Sequence, residues 1–377
     1  MRAILLVPAL FLLAGCGLFG SRDQVEPPAE LVTFTPSAEV QRHWSVSVGG
    51  DGGRHLILDP WADGERVVAS SANGRVVSID AASGRALWSR NTGAALSSGP
   101  GLGSGVVVVG SRDAQVIALD PDSGDELWRT TVSSEVLAQP QAARGIVVVR
   151  TSDGKVHGLD AADGSRRWLH ERSVPLLTLR GNSNPVIHGD GVLIGFDGGR
   201  LAALALNSGE LLWELPVAEP SGRTELERMA DINGTPVVAD GAVHVTAHRG
   251  RTLIASLDGR TLWARDIASR AGLAISRDRL FVSADDDSLW GLDRRNGATI
   301  WRQEALTRRQ LTAPAVTSQF VLVGDSEGWV HVLSREDGNF VARHRIDSSG
   351  IAAAPVAVGE TVYIISRSGT LAALRMQ

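Results

Sequence analysis

The sequence has one cysteine, Cys16, in 377 residues. A chain with a single thiol forms no internal disulfide, so its core must hold without covalent staples. A basic excess is also missing. Lys and Arg number 37 against 42 Asp and Glu, and the formal net charge of −5 gives no support for nucleic-acid binding. Lysine is almost absent: Lys155 stands alone among the arginines, which reads as codon bias rather than function. Few segments show a helical period. The nine histidines fall without H-E-x-x-H or paired metal spacing, and no P-loop or G-x-S-x-G elbow is present. "GDSEG" (Gly324 to Gly328) imitates a nucleophile motif, but Ser326 falls in a turn between two strands of a repeat. No catalytic residue, metal site or cofactor is expected.

Long apolar runs are missing as well. The run from Ala3 to Ala14 is too short to span a bilayer and follows one basic residue, Arg2. Residues 1–15 therefore read as an export signal. The run ends in Leu13-Ala14-Gly15-Cys16, which resembles a bacterial lipoprotein signal. In such signals the peptidase cuts before the cysteine, whose sulfur carries a diacylglycerol. Cys16 is the expected lipidation site, and several acyl chains hold a protein on a membrane without spanning it. Gly17 follows, with no Asp to signal inner-membrane retention. Resemblance to lipoprotein sorting then implies the outer membrane, periplasmic face. The polar, proline-containing stretch up to residue 40 is expected to be a flexible tether.

What the chain has in quantity is glycine, 42 residues, and strand-forming Val, Ile and Thr. Length alone suggests two or three domains, but self-similarity overrides that prior. "VVSIDAASGRALW" (to Trp88), "VIALDPDSGDELW" (to Trp128) and "VHGLDAADGSRRW" (to Trp168) align, and further copies end at Trp213, Trp263 and Trp301. In each copy a glycine precedes the tryptophan by four residues: Gly84, Gly124, Gly164, Gly209, Gly259 and Gly297. A seventh copy keeps Gly338 but has Ala342 in the Trp position. Prolines mark the same beat at Pro60, Pro100, Pro140, Pro185, Pro236, Pro314 and Pro355, and the sixth beat, near Ala274, lacks one.

Each period of about 40 residues carries alternating strand patterns split by Gly/Asp/Ser turns. Four short strands per period match a β-propeller blade. In the second repeat, strands are expected at "GVVVVGS", "VIALD" and "DELWRTTV", with a fourth around Pro140. The repeat tryptophans are expected to fill the space between blades rather than hold a ligand. An eighth unit stops at Gln377 without its Trp strand, while "QRHWSVSV" around Trp44 is such a strand displaced to the other end. The expected fold is an all-β, eight-bladed propeller over residues 41–377, its ring closed by the N-terminal strand.

The "D-x-x-[ST]-G-x-x-x-W" units resemble the tryptophan-docking repeats of quinoprotein dehydrogenases, which bind pyrroloquinoline quinone. A periplasmic quinoprotein dehydrogenase-like enzyme is therefore the alternative reading. Such enzymes are longer, often carry adjacent cysteines, and need calcium beside a catalytic Asp. The sole dense carboxylate cluster, Asp285 to Asp287, sits where other repeats have a turn and is expected to be solvated. A second resemblance covers nearly the whole chain. The lipoprotein signal, the repeat, and the segments "PLLTLRGNSNP", "TELERMADINGTPVV", "VGDSEGWVH" and "DSSGIAAAPV" are together similar to the BamB family, propeller lipoproteins of the outer-membrane β-barrel assembly (BAM) machinery. That resemblance implies a non-enzymatic scaffold that binds the POTRA domains of BamA and assists folding and insertion of outer-membrane proteins. Holding unfolded outer-membrane protein clients by β-augmentation is a weaker possibility with no specific residues behind it.

Two connections exceed the repeat. Trp88 to Trp128 and Trp128 to Trp168 are 40 residues each, but Trp168 to Trp213 is 45 and Trp213 to Trp263 is 50. Loops on a rigid scaffold are where binding residues concentrate. In the first, an extended chain would point Leu177 and Leu179 the same way, with Arg180 beside them and Gly181 permitting a sharp exit. In the second, "ELERMADIN" has the pattern of a short helical turn followed by Asp231 and Asn233. The family resemblance assigns the leucine pair, the arginine and an acidic D-x-D stretch to the BamA-contacting patch. Here Leu177, Leu179, Arg180 and Asp231 match, and Asn233 stands in place of the second Asp.

Overall fold

A computed structural model describes residues 26–376. Residues 1–25, including the export signal and Cys16, lie outside the described residues. Eight four-stranded antiparallel sheets form the molecule. Blades 1 to 7 occupy residues 61–91, 101–131, 141–170, 186–216, 237–265, 272–303 and 315–345. Blade 8 takes three strands from 356–376 and its outermost strand, Val40–Ser47, from the N-terminus. That strand pairs antiparallel with Thr370–Met376, so the two chain ends close the ring as expected.

The burial of each strand follows from its place in a blade. The middle strands, such as Val106–Gly110 and Gln115–Leu119, are buried on both faces because each sheet is sandwiched between two others. The outermost strand Glu126–Thr131 is an edge, and of its six residues only Trp128 is buried. The strand after Pro140 (Gln141–Ala143) is the innermost strand of the following blade, so the sequence repeat and the structural blade are out of phase by one strand. Blade 6 lacks the proline beat. Its innermost strand, Gly272–Ile275, consequently has four residues where the others have two or three, since no missing N–H interrupts its pairing.

Each repeat tryptophan ties its blade to the next one. The indole N–H of Trp88 donates to Pro121 O at 2.8 Å, Trp128 to Ala161 O at 2.8 Å, and Trp168 to Leu206 O at 2.8 Å. Trp213, Trp263 and Trp301 do the same to Leu257, Arg294 and Arg335. Trp44 closes the circle on Ala81 O at 2.9 Å. Every one of these rings lies on the repeat glycine of the following blade. A Cβ on Gly164 would come within 2.5 Å of the Trp128 ring, and φ there is +74°. Only glycine meets both demands.

This docking explains the missing eighth tryptophan. The partner glycine belongs to the turn between the third and fourth strands of the next blade. Blade 8 has no such turn, because its fourth strand is Val40–Ser47 from the N-terminal segment. Blade 7 accordingly has Ala342, buried in a cluster with Met376 and packed on by Ala38 and Val40.

The segment expected to be a loose tether is partly docked. Residues 26–39 run along blade 7. Ala29 N donates to Thr307 O at 3.0 Å, and Ser37 N to Val341 O at 3.0 Å. Arg309 and Arg343 donate to Ala29 O and Val32 O, and Phe34 stacks on Phe340 with centroids 5.6 Å apart. The physical reason is that these residues cap the apolar edge and buried charges left at the outer side of blade 7.

Candidate functional site

In every blade the entry into the innermost strand and the turn between the two middle strands emerge on one face of the ring. Both long connections lie on that face. Residues 173–185 contain no strand, and the chain bends at Leu176–Leu177 and at Arg180–Gly181, where Gly181 takes φ +119°. The two leucines therefore do not share a side. Leu177 is 42% exposed, whereas Leu179 is half-buried and lines the mouth of the central channel. Alternation fails here because it presupposes extended backbone. Leu176, at 92%, is the most exposed large apolar residue described, and the sequence reading passed over it. Arg180 is exposed and forms an ion pair with Glu135 from blade 3's entry, Nη2 to Oε1 3.1 Å.

Asp231 corrects the sequence expectation most sharply. It is fully buried, so it touches no partner in this conformation. Its Oδ2 accepts Leu179 N at 2.7 Å and its Oδ1 accepts Gly198 N at 2.9 Å. The carboxylate thus pins the leucine loop to the middle turn of blade 4. Asn233 assists by donating from Nδ2 to Gly181 O at 2.8 Å. Both residues position the loop. They follow the helical turn Glu225–Arg228, which begins at a capping box: Thr224 Oγ1 accepts Glu227 N, and Glu227 Oε2 accepts Thr224 N.

Under the loop lies a second buried carboxylate. Asp197 is 3.0 Å from Arg150, and both are almost fully buried. The contact joins Arg150 Nη2 to Asp197 Oδ2 as a buried ion pair. Burial pushes the Asp197 carboxyl above the usual range, Arg150 opposes that, and nearby Asp231 adds to it. Arg150 also sits 5.5 Å over the Phe196 ring. Glu135, Arg150 and Asp197 carry no signal in a single sequence, because only the ring brings blades 3, 4 and 5 together.

The Asp285–Asp287 cluster is a turn, as expected, but only Asp286 is exposed to solvent; Asp285 is half-buried and Asp287 buried. Asp285 accepts from His248 Nδ1 at 2.8 Å and from Arg270 N at 2.6 Å. Burial alone would raise its pKa, but these bonds hold it below the usual carboxylate value. Asp287 is buried and accepts Gln310 N and Leu311 N at 3.0 and 2.9 Å. Their lone pairs face N–H donors of their own and neighbouring blades, which is a structural use and a poor cage for calcium. Among the described residues no group of three His, Cys, Asp or Glu side chains gathers to hold a metal.

The fold and this rim define a class: a ring of PQQ-type repeats whose distinguishing residues lie in loops on one face. The family model described as outer membrane protein assembly factor BamB matches residues 72–303 and 258–377. The chain is 49% identical to the outer membrane protein assembly factor BamB of Alkalilimnicola ehrlichii, over 100% of this chain and 97% of that one. It is also 49% identical to the protein of the same name from Pseudomonas aeruginosa, over 96% of each. The crystal structure of BamB from Moraxella catarrhalis superposes with a TM-score of 0.82 at 26% identity, covering 89% of this chain and 100% of that one. Quinohemoprotein alcohol dehydrogenase from Comamonas testosteroni shares the fold alone, with a TM-score of 0.70 at 14% identity over 89% of this chain and 76% of that one. The chain belongs to the BamB family of outer membrane protein assembly factors.

Proposed function

We propose that the protein is a non-enzymatic scaffold of the BAM complex that binds the POTRA domains of BamA through its loop-bearing face. The observation that carries this reading is the 173–185 loop. Leu176 and Leu177 stand in solvent and Arg180 lies beside them, on a segment held from beneath by the buried Asp231 carboxylate. An apolar anchor next to a multi-donor cation on a rigid support is the form of a protein-binding hot spot. Lipidation at Cys16 would hold the ring at the periplasmic face of the outer membrane, and direct holding of unfolded clients is secondary to scaffolding.

Co-purification with BamA tests the assignment. Leu177→Ala and Arg180→Ala should weaken recovery of BamA severalfold while the melting temperature stays within a degree or two, as expected for exposed residues. Unchanged recovery in both would remove this loop from the interface. Dye-linked alcohol oxidation after adding quinone and calcium would instead favour the dehydrogenase reading.

A further inference from the structure

The eight connections that enter the blades enclose a cavity of about 420 Å³ at the channel mouth. That is room for one side chain and its flanking backbone. Ile57, Leu137, Leu179, Leu273 and Leu311 give it apolar walls. The floor is crossed by hydrogen bonds between blades. Asn184 accepts Gln139 N at 2.7 Å and reaches Asp59 at 3.5 Å, and Asp59 accepts Ala354 N at 3.0 Å. An occupant therefore enters from the loop face.

Three arginines line the mouth: Arg180 at blade 4, Arg270 at blade 6 and Arg367 at blade 8. Alternate blades place them on three sides of the opening. Their carboxylate contacts are incomplete. Arg270 stands 3.8 Å from Asp287, whose oxygens already accept two backbone N–H groups. Arg367 stands 3.7 Å from Asp51, and Arg180 has one 3.1 Å contact to Glu135. The only carboxylate lining the cavity, among the described residues, is Asp59 in the floor.

We propose that this mouth binds an acidic peptide segment of a partner protein. An apolar side chain of the segment seats between the leucines, and flanking carboxylates meet Arg180, Arg270 and Arg367. A phosphate-bearing ligand would use the arginines but leave the apolar walls wet. The inference rests on the scaffold reading only in taking the segment to be part of a partner.

The test uses the mature full-length chain and three capped peptides, Ac-Gly-Asp-Leu-Asp-Gly-NH2 and its Asn-Leu-Asn and Lys-Leu-Lys counterparts, titrated by calorimetry and amide NMR. The Asp peptide should saturate with a dissociation constant of about 1 mM or tighter, about tenfold below its counterparts. Its binding should weaken with added salt and fall severalfold in Arg270→Gln and in Arg367→Gln. Equal binding of the three peptides, no saturation by any, indifference to both substitutions, or displacement by an equal concentration of inorganic phosphate would each overturn the proposal. BamA recovery is scored separately on the unaltered chain. Its failure sinks the scaffold reading and leaves the peptide result standing, while peptide failure with BamA retained sinks only this inference.

Discussion

Gly164 and Trp128 show how one residue pair is repeated into a ring. The glycine holds φ +74° and the ring lies where a Cβ would go. Gly164→Ala must adopt an unfavourable backbone and displace a buried indole, so unfolding midpoints in urea should fall by an amount worth about 2–4 kcal/mol. A shift below half a kcal/mol would mean the next blade yields freely. His244 gives a pH signature at the same scale. Its Nδ1 donates to Val237 O at 3.1 Å and its Nε2 accepts from Arg294 Nε at 3.0 Å, so the ring has no place for a second proton. Burial, first, and then the nearby Arg294 charge push its pKa from 6.5 down to about 4, and burial likewise brings His157 to about 4. Both fold neutral. Protonation favours the unfolded chain, so their stability contribution is complete above about pH 6.5 and is lost as pH falls toward 4. Unfolding free energy should slope downward through that window, and His244→Gln should flatten the slope. An unchanged slope would show that His244 is protonated in the fold.

At the scale of elements, the 173–185 loop owes its shape to a residue 52 positions from Leu179. Asp231 is buried and spent on two amides, so its effect on a partner has to pass through the loop. Asp231→Asn puts an amide N–H against one of those N–H donors. Amide exchange at Leu179 and Gly198 should accelerate at least tenfold, and BamA recovery should drop although no contact is deleted. Loss of BamA recovery with exchange unaltered would return Asp231 to direct contact. This is also where sequence reading stopped short. It found both insertions from the 45- and 50-residue intervals and the helical turn from "ELER". It took Leu177 and Leu179 to share a face by the alternation of an extended chain, and took Asp231 for a partner contact because the family resemblance assigns the acidic stretch to the BamA-contacting patch. The docked 26–39 segment was likewise invisible, since its partners Thr307, Val341 and Arg343 lie about 300 residues away in the chain.

The whole molecule is a closed circle, and blade 8 closes it by strand pairing rather than by a chain connection between its third and fourth strands. The strand Val40–Ser47 supplies the outer edge of that blade, and Trp44 supplies the seventh indole clasp. Deleting residues 41–48 removes both, and each blade buries its apolar faces only against neighbours. The deletion should lower the unfolding free energy by at least roughly the 3–5 kcal/mol typical of a large aromatic core loss, and shift the melting of the entire ring downward in one transition. Unaltered melting would show that seven blades and an open eighth stand alone. The blade count, the Trp–Gly beat and the displaced eighth strand were determined by sequence alone, because a repeat that cannot bury its faces by itself admits few arrangements. Tertiary structure alone decided which loop residues face solvent. It turned three arginines from alternate blades toward one mouth, buried Asp231 beneath the leucine loop, and engaged Asp285 and Asp287 with N–H donors. Those facts depend on groups brought together by closing a circle, and separation along the chain gives no measure of that distance.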